Sequence, residues 1–259
     1  MNDDIIRLER NGAIATLTIN NPEKRNAMNL DAWRRLGEVA ADLEADDDLR
    51  CVLLTGAGEH FAAGADISEF PEKRKNAAQA EEFGAVVADA LKRLADLKHP
   101  TIAVIRGACT GGGLEIACCC DMRLAAEGSR FGIPINRLGH AFAYPEMAAA
   151  LTVIPAAVIM ELLLEGRILD TDEAYAKGLL TRVVPADQLD DEAETVAWRV
   201  SQGAPLAARG SKKILRRLRR PEPITPEELK SGYALCDSED YQEGVRAFLA
   251  KEKPAFKGR

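Results

Sequence analysis

Gly107-Ala108-Cys109-Thr110-Gly111-Gly112-Gly113-Leu114-Glu115-Ile116-Ala117-Cys118-Cys119-Cys120-Asp121 is the stretch on which the reading of this chain turns. It follows the apolar run Thr101-Ile102-Ala103-Val104-Ile105, which predicts a buried strand, and passes through three consecutive glycines into a helical pattern. Glycines at that junction leave no Cβ between the backbone amides and a ligand. A helix start also presents unpaired N–H groups and the positive end of the helix dipole. Such a corner suits an oxygen that gains negative charge, and Glu115 falls in the first helical turn beside it. Spacing alone fits a tight glycine turn with Glu115 as a surface dipole partner equally well.

Working outward, a second small-residue loop, Phe61-Ala62-Ala63-Gly64-Ala65-Asp66-Ile67, lies just beyond the apolar strand at 50–55. Two such loops, each following a strand, can supply the two N–H donors of an oxyanion hole. Residues 13–19 alternate as a strand and end at the turn Asn20-Asn21-Pro22. Asn29 then predicts an N-cap for a helix to about residue 45, with Trp33, Leu36, Val39, Ala40 and Leu43 at helical spacing. A charged segment at 69–82 separates the strand at 50–55 from a helix carrying Phe83, Val86, Val87, Ala90, Leu91 and Leu94. From about Pro145 helices dominate, with one short strand at 181–184 and four helical patterns at 188–202, 205–219, 226–236 and 241–251. The expectation is an α/β body over residues 1–190 and a helical region over 191–259.

The 259 residues carry a net charge of −7, with 47% hydrophobic and 29% charged residues, which suits one large globular domain with an appendage. The acidic balance argues against nucleic acid or an anionic membrane as the main partner. The first ten residues lack the apolar run of a signal peptide. The longest apolar stretch, at 151–164, is broken by Pro155 and Glu161. Six cysteines, three of them adjacent, do not suit a disulfide framework, so a reduced, cytoplasmic protein is expected. No His/Cys spacing suggests a metal site.

With both loops in view, the chain resembles the enoyl-CoA hydratase/isomerase (crotonase) superfamily. The resemblance covers nearly the whole length. It takes in the segment from Asn21 to Asn29, the two loops, Phe131-Gly132-Ile133-Pro134, Glu165-Gly166-Arg167, Ala174, Gly178-Leu179-Leu180 and Val183-Val184. It continues in the tail from Asp240 to Leu249 and in Lys253-Pro254-Ala255-Phe256. It implies a crotonase-type spiral of ββα units, with the helical C-terminal region packing subunits into trimers that pair as hexamers. The amides of Ala65 and Gly112 would hold the thioester carbonyl of an acyl-CoA. Ala27 and the stretch Ala63, Gly64, Ala65, Asp66 and Ile67 would line the coenzyme A track. Coenzyme A is then part of the substrate, and no further cofactor or metal is implied.

Glu115 falls where hydratases of the superfamily carry their first catalytic glutamate. An ungapped count sets the second at Ile135, which cannot transfer a proton. His140, Tyr144 and Glu146 follow closely and are the candidates to replace it. They read equally as a loop histidine, a core aromatic and a first-turn residue after Pro145. His60 and His99 read as structural, as do the three adjacent cysteines. The basic run Lys212, Lys213, Arg216, Arg217, Arg219 and Arg220 reads as a solvated helix face. Three classes remain: a hydratase or isomerase using Glu115 as acid/base, a decarboxylase or thioester hydrolase, and a non-catalytic CoA- or RNA-binding member. Glu115 beside the glycines favours the first, while Ile135 adds weight to the second.

Overall fold

The computed structural model describes residues 5–259. Its strands are β1 (Ile6–Asn11), β2 (Ile14–Ile19), β3 (Cys51–Gly56), β4 (Thr101–Ile105), β5 (Ala108–Thr110), β6 (Met122–Ala126), β7 (Arg130–Gly132), β8 (Ile168–Leu169) and β9 (Arg182–Val184). The helices of the body are α1 (Leu30–Ala45), α2 (Phe70–Lys73), α3 (Ala77–Asp96), α4 (Gly112–Cys119), α5 (Tyr144–Leu151), α6 (Ala156–Glu165) and α7 (Thr171–Ala176). Then come α8 (Leu189–Gln202), α9 (Pro205–Leu218), α10 (Pro226–Ser231) and α11 (Glu239–Ala250).

A main sheet runs β1-β2-β3-β4-β6-β9, parallel except for the β1–β2 hairpin, and a small sheet runs β5-β7-β8. After β3, β4 and β6 the chain crosses to the small sheet, at the Ala62 bridge to Cys109, at β5 and at β7. A helix follows each crossing. This strand–strand–helix winding is the expected spiral.

Period-two alternation splits the core in two. Val52, Leu54, Ala103, Ile105 and Ala125 face one side with α1, α3 and α4. Cys51, Leu53, Ile102, Val104, Leu124 and Ala126 face the other, where Leu189, Ala193, Val196 and Ala197 of α8 cover them. The helix α8 therefore lies directly on the main sheet.

Local signals explain the boundaries. Asn29 caps α1 by accepting the Ala32 N–H at 2.8 Å. Asn76 accepts the Gln79 N–H at 3.0 Å, so α3 starts well before Phe83, inside the segment expected to be a charged separator. The strand β6 was not foreseen, because Met122, Arg123, Leu124, Ala125 and Ala126 are all good helix formers. Its parallel pairing with β4 and β9 overrides that propensity. The third of the four C-terminal patterns, at 226–236, divides into α10 and a separate 3₁₀ turn at Ala234–Asp237.

The basic run is not a uniformly solvated face. Lys212 is buried, with Nζ 2.5 Å from Asp121 and donating to the His99 carbonyl at 2.6 Å. It pins α9 to the start of β4. Among the described residues, no helix is long and apolar enough to cross a membrane.

Candidate active site

The loop after β3 is held from beneath by Asn26. Its buried side chain donates to the carbonyls of Ala57 at 2.9 Å and His60 at 2.6 Å, and accepts the Asn21 N–H at 2.9 Å. The Met28 N–H bonds to Gly64 O and the Asp66 N–H to Met28 O, both at 2.8 Å. These two bonds flank Ala65, whose own N–H has no protein acceptor among the described residues. Gly112 opens α4, so its N–H has no partner within the helix.

The two glycine-rich corners touch. A Cβ on Gly64 (φ +102°) would sit 3.2 Å from Gly112 N and 3.0 Å from Thr110 O. A Cβ on Gly112 would sit 3.7 Å from Ala65 N and 2.8 Å from the Trp33 ring. Both amides therefore border the same space. It is a cavity of about 250 Å³ walled by residues from the loop after β3, by α3, by α4 and by the segment leading into α5.

Glu115 enters this cavity from the first turn of α4 and is buried. Burial raises its proton affinity well above the usual carboxylate range; the charge of Glu146 adds to that, and Arg74 opposes it. Glu146 reaches the same cavity from the first turn of α5, which packs against α4. Its Oε2 accepts the Ala143 N–H at 2.7 Å.

The other expected residues divide. Ala63, Gly64, Ala65 and Ile67 line the cavity with Gly112. Asp66 turns away. Burial raises its pKa, but hydrogen bonds from Lys24 and Ser68 outweigh that and hold it below the ordinary value. Ala27 lies behind the loop, its carbonyl accepting from Asn21 Nδ2 at 3.0 Å. Ile135 forms an apolar part of the wall, and His140 also lines it, with Nδ1 3.0 Å from the Ala141 carbonyl. Tyr144 is not brought in: it is 94% exposed, which removes it from the candidates for the second acid in this chain.

His60 Nδ1 accepts the Ala108 N–H at 3.1 Å, bracing the loop against β5. His99 is buried, its Nε2–H donating to Leu43 O at 3.0 Å, and burial lowers its pKa to about 4. Cys118, Cys119 and Cys120 are buried, and desolvation raises all three thiols, the first and last to about 12. Such thiols are inert as nucleophiles.

Sequence reasoning missed the cavity's other wall. Phe70 and Phe83 pack edge to face with centroids 6.1 Å apart, and the Arg74 guanidinium lies 4.5 Å and 5.3 Å from the two rings. Phe83 carried a helix signal only, while Arg74 sat in a charged run with nothing to set it apart.

Known proteins share this arrangement of the whole chain. The enoyl-CoA hydratase/isomerase family model matches residues 9–259. A probable enoyl-CoA hydratase of Mycobacterium bovis is 35% identical over 100% of both chains. A short-chain-enoyl-CoA hydratase of Clostridium acetobutylicum is 34% identical over 97% of both. The crystal structure of an enoyl-CoA hydratase/carnithine racemase from Magnetospirillum magneticum superposes with a TM-score of 0.97 at 47% identity, covering 99% of this chain and 96% of that one.

Proposed function

The chain belongs to the enoyl-CoA hydratase/isomerase family, and from that premise we propose that it adds water across the double bond of an enoyl-CoA thioester. The observation that carries this reading is the meeting of two carboxyls, Glu115 and Glu146, with the Ala65 and Gly112 corners in one cavity. The amides of Ala65 and Gly112 donate to the thioester oxygen. As the water oxygen bonds to Cβ, the alkene electron pair moves through the carbonyl onto that oxygen. The enolate so formed is what the two N–H groups stabilise, and one such donor is worth roughly 3–4 kcal/mol of barrier.

Glu146 takes the proton that the water loses, and Glu115 gives its proton to Cα. Burial keeps Glu115 protonated for that step. A proton passing from Glu146 back to Glu115 restores the pair, so the net change is H and OH added to the alkene. This chemistry needs no metal or redox group, and coenzyme A enters as part of the substrate. Ala63, Gly64 and Ile67 border its path through backbone groups, with Asp66 and Ala27 fixing the loop from behind.

A second reading draws on Ile135, which makes the wall apolar where superfamily hydratases carry an acid. There the oxyanion corner stabilises the enolate of a decarboxylation or the tetrahedral intermediate of thioester hydrolysis, and Glu146 merely starts α5. A spectrophotometric panel of crotonyl-, malonyl- and hydroxyacyl-CoA separates the readings. Turnover of crotonyl-CoA supports hydration, and turnover of malonyl-CoA alone overturns it.

The active species is proposed to be a homotrimer, or two trimers paired as a hexamer. Phe248, Leu249 and Tyr233 are 84%, 76% and 76% exposed on the C-terminal helical region, apolar surface suited to a partner subunit. Sedimentation at micromolar concentration is expected to show no monomer, and a lone 28 kDa species would contradict this.

A further inference from the structure

Arg74 is a cation in the acyl cavity that the proposed chemistry does not use. Its guanidinium is seated over the faces of Phe70 and Phe83, at 4.5 Å and 5.3 Å. Among the described residues it forms no ion pair within 4 Å and donates no side-chain hydrogen bond. Of the two acids in its own segment, Glu72 is exposed to solvent and Glu69 is already engaged. It pairs with Lys73 at 2.9 Å and accepts the Leu30 N–H at 2.8 Å. Arg74 is half-buried and lines the same cavity as Glu115.

A guanidinium partly withdrawn from water is normally paired, so an unpaired one in a cavity wall suits a ligand that brings an anion. A methyl-ended acyl chain brings none.

We propose that Arg74 is a specificity-determining residue that receives a carboxylate at the far end of the acyl group, so that the preferred substrates are thioesters of dicarboxylic acids. The guanidinium is fixed in orientation by two rings, and its planar fork fits a carboxylate through two parallel N–H donors. This assignment rests on reading the cavity as an acyl-CoA site. Arg74 as a mere counter-charge to Glu115 and Glu146 is the competing role, and it predicts no dependence on the acyl terminus.

The test is calorimetric binding of unreactive saturated thioesters of matched length to the full-length protein: succinyl-, glutaryl- and adipyl-CoA against butyryl-, valeryl- and hexanoyl-CoA. At least one dicarboxylic thioester is expected to bind about tenfold to a hundredfold more tightly than its methyl-ended partner, the usual worth of a charge-assisted contact. Arg74→Met is expected to abolish that ratio and Arg74→Lys to retain part of it. In turnover, the ratio of kcat/KM for glutaconyl-CoA over crotonyl-CoA is expected to fall at least tenfold in Arg74→Met. Equal binding of both series by the unmodified protein would overturn the inference and leave the acyl-CoA reading standing. Absence of binding by every thioester would overturn both.

Discussion

Glu115 and Glu146 enter one cavity from the first turns of two packed helices, α4 and α5, and the charge of Glu146 adds to burial in raising the proton affinity of Glu115. Burial beside a second acidic group favours the protonated form of Glu115, which suits it to the acid role.

The first prediction concerns pH and stability. The pKa of Glu115 is raised in the folded protein above its ordinary 4.5. Its stabilising share is therefore complete below about pH 4.5 and is lost as pH climbs towards the raised value. Glu115→Gln has no such loss. The melting temperature of the variant should match the wild type near pH 4 and exceed it by a margin that grows as pH rises above about 5. A constant difference across that range would contradict an elevated pKa.

The same coupling makes a kinetic prediction. Loss of the Glu115 proton defines the alkaline limb of kcat/KM. Glu146→Gln removes a charge that raises Glu115, so the residual activity of that variant should show its alkaline limb at lower pH. A limb that stays in place would mean that the two carboxyls do not interact.

Gly64→Ala tests the oxyanion corner. A Cβ there is strained at φ +102° and would press on Gly112 N at 3.2 Å and Thr110 O at 3.0 Å. Displacing the Gly112 or Ala65 N–H should cut kcat by about 10²–10³-fold. The fold should survive, as judged by circular dichroism. Unchanged kcat would remove these amides from the mechanism.

Ile135→Glu distinguishes a missing acid from a relocated one. With Glu146 already in the cavity, a third carboxyl crowds it, and crotonyl-CoA hydration should fall. In a Glu146→Gln background the same change should instead recover part of the activity, limited by the absence of supporting hydrogen bonds. A gain in the wild-type background would show that Glu146 does not fill the role.

Lys212 carries a stability prediction. Lys212→Met removes the shorter of the two cation contacts of Asp121, leaving Arg216 at 3.7 Å, and takes the ammonium from the His99 carbonyl. Asp121 keeps partial solvent access, so the loss should fall near the lower end of the range for broken buried pairs, about 3 kcal/mol by denaturant unfolding. A change below about 1 kcal/mol would show that the Lys212 contacts do not hold α9 in place.

What the sequence made legible follows from where its signals are local. The glycine corner before Glu115, the Asn29 cap and the apolar strands at 50–55 and 101–105 each announce themselves within a few residues. The strand β6 does not, because its residues favour a helix and only cross-sheet pairing decides otherwise. The site divided in the same way. Spacing marked Glu115 and the two glycine-rich corners as candidates, and the family resemblance singled out the Ala65 and Gly112 amides. Of the three candidates for the second acid, the fold brings His140 and Glu146 to the cavity and leaves Tyr144 exposed, which no local signal foretold. Arg74 was invisible, since its meaning depends on Phe70 and Phe83 folding beneath it.

The central claim is that Glu115 and Glu146 together hydrate an enoyl thioester held at the Ala65 and Gly112 amides. Its most direct test is the decay of enoyl-thioester absorbance with crotonyl-CoA for the wild type, Glu115→Gln and Glu146→Gln, alongside butyryl-CoA affinity for all three. The account predicts hydration by the wild type, kcat lower by about 10²–10⁴-fold in each variant, and affinities within a few-fold of one another. Hydration by Glu146→Gln at the wild-type rate, or no hydration by the wild type, would contradict it.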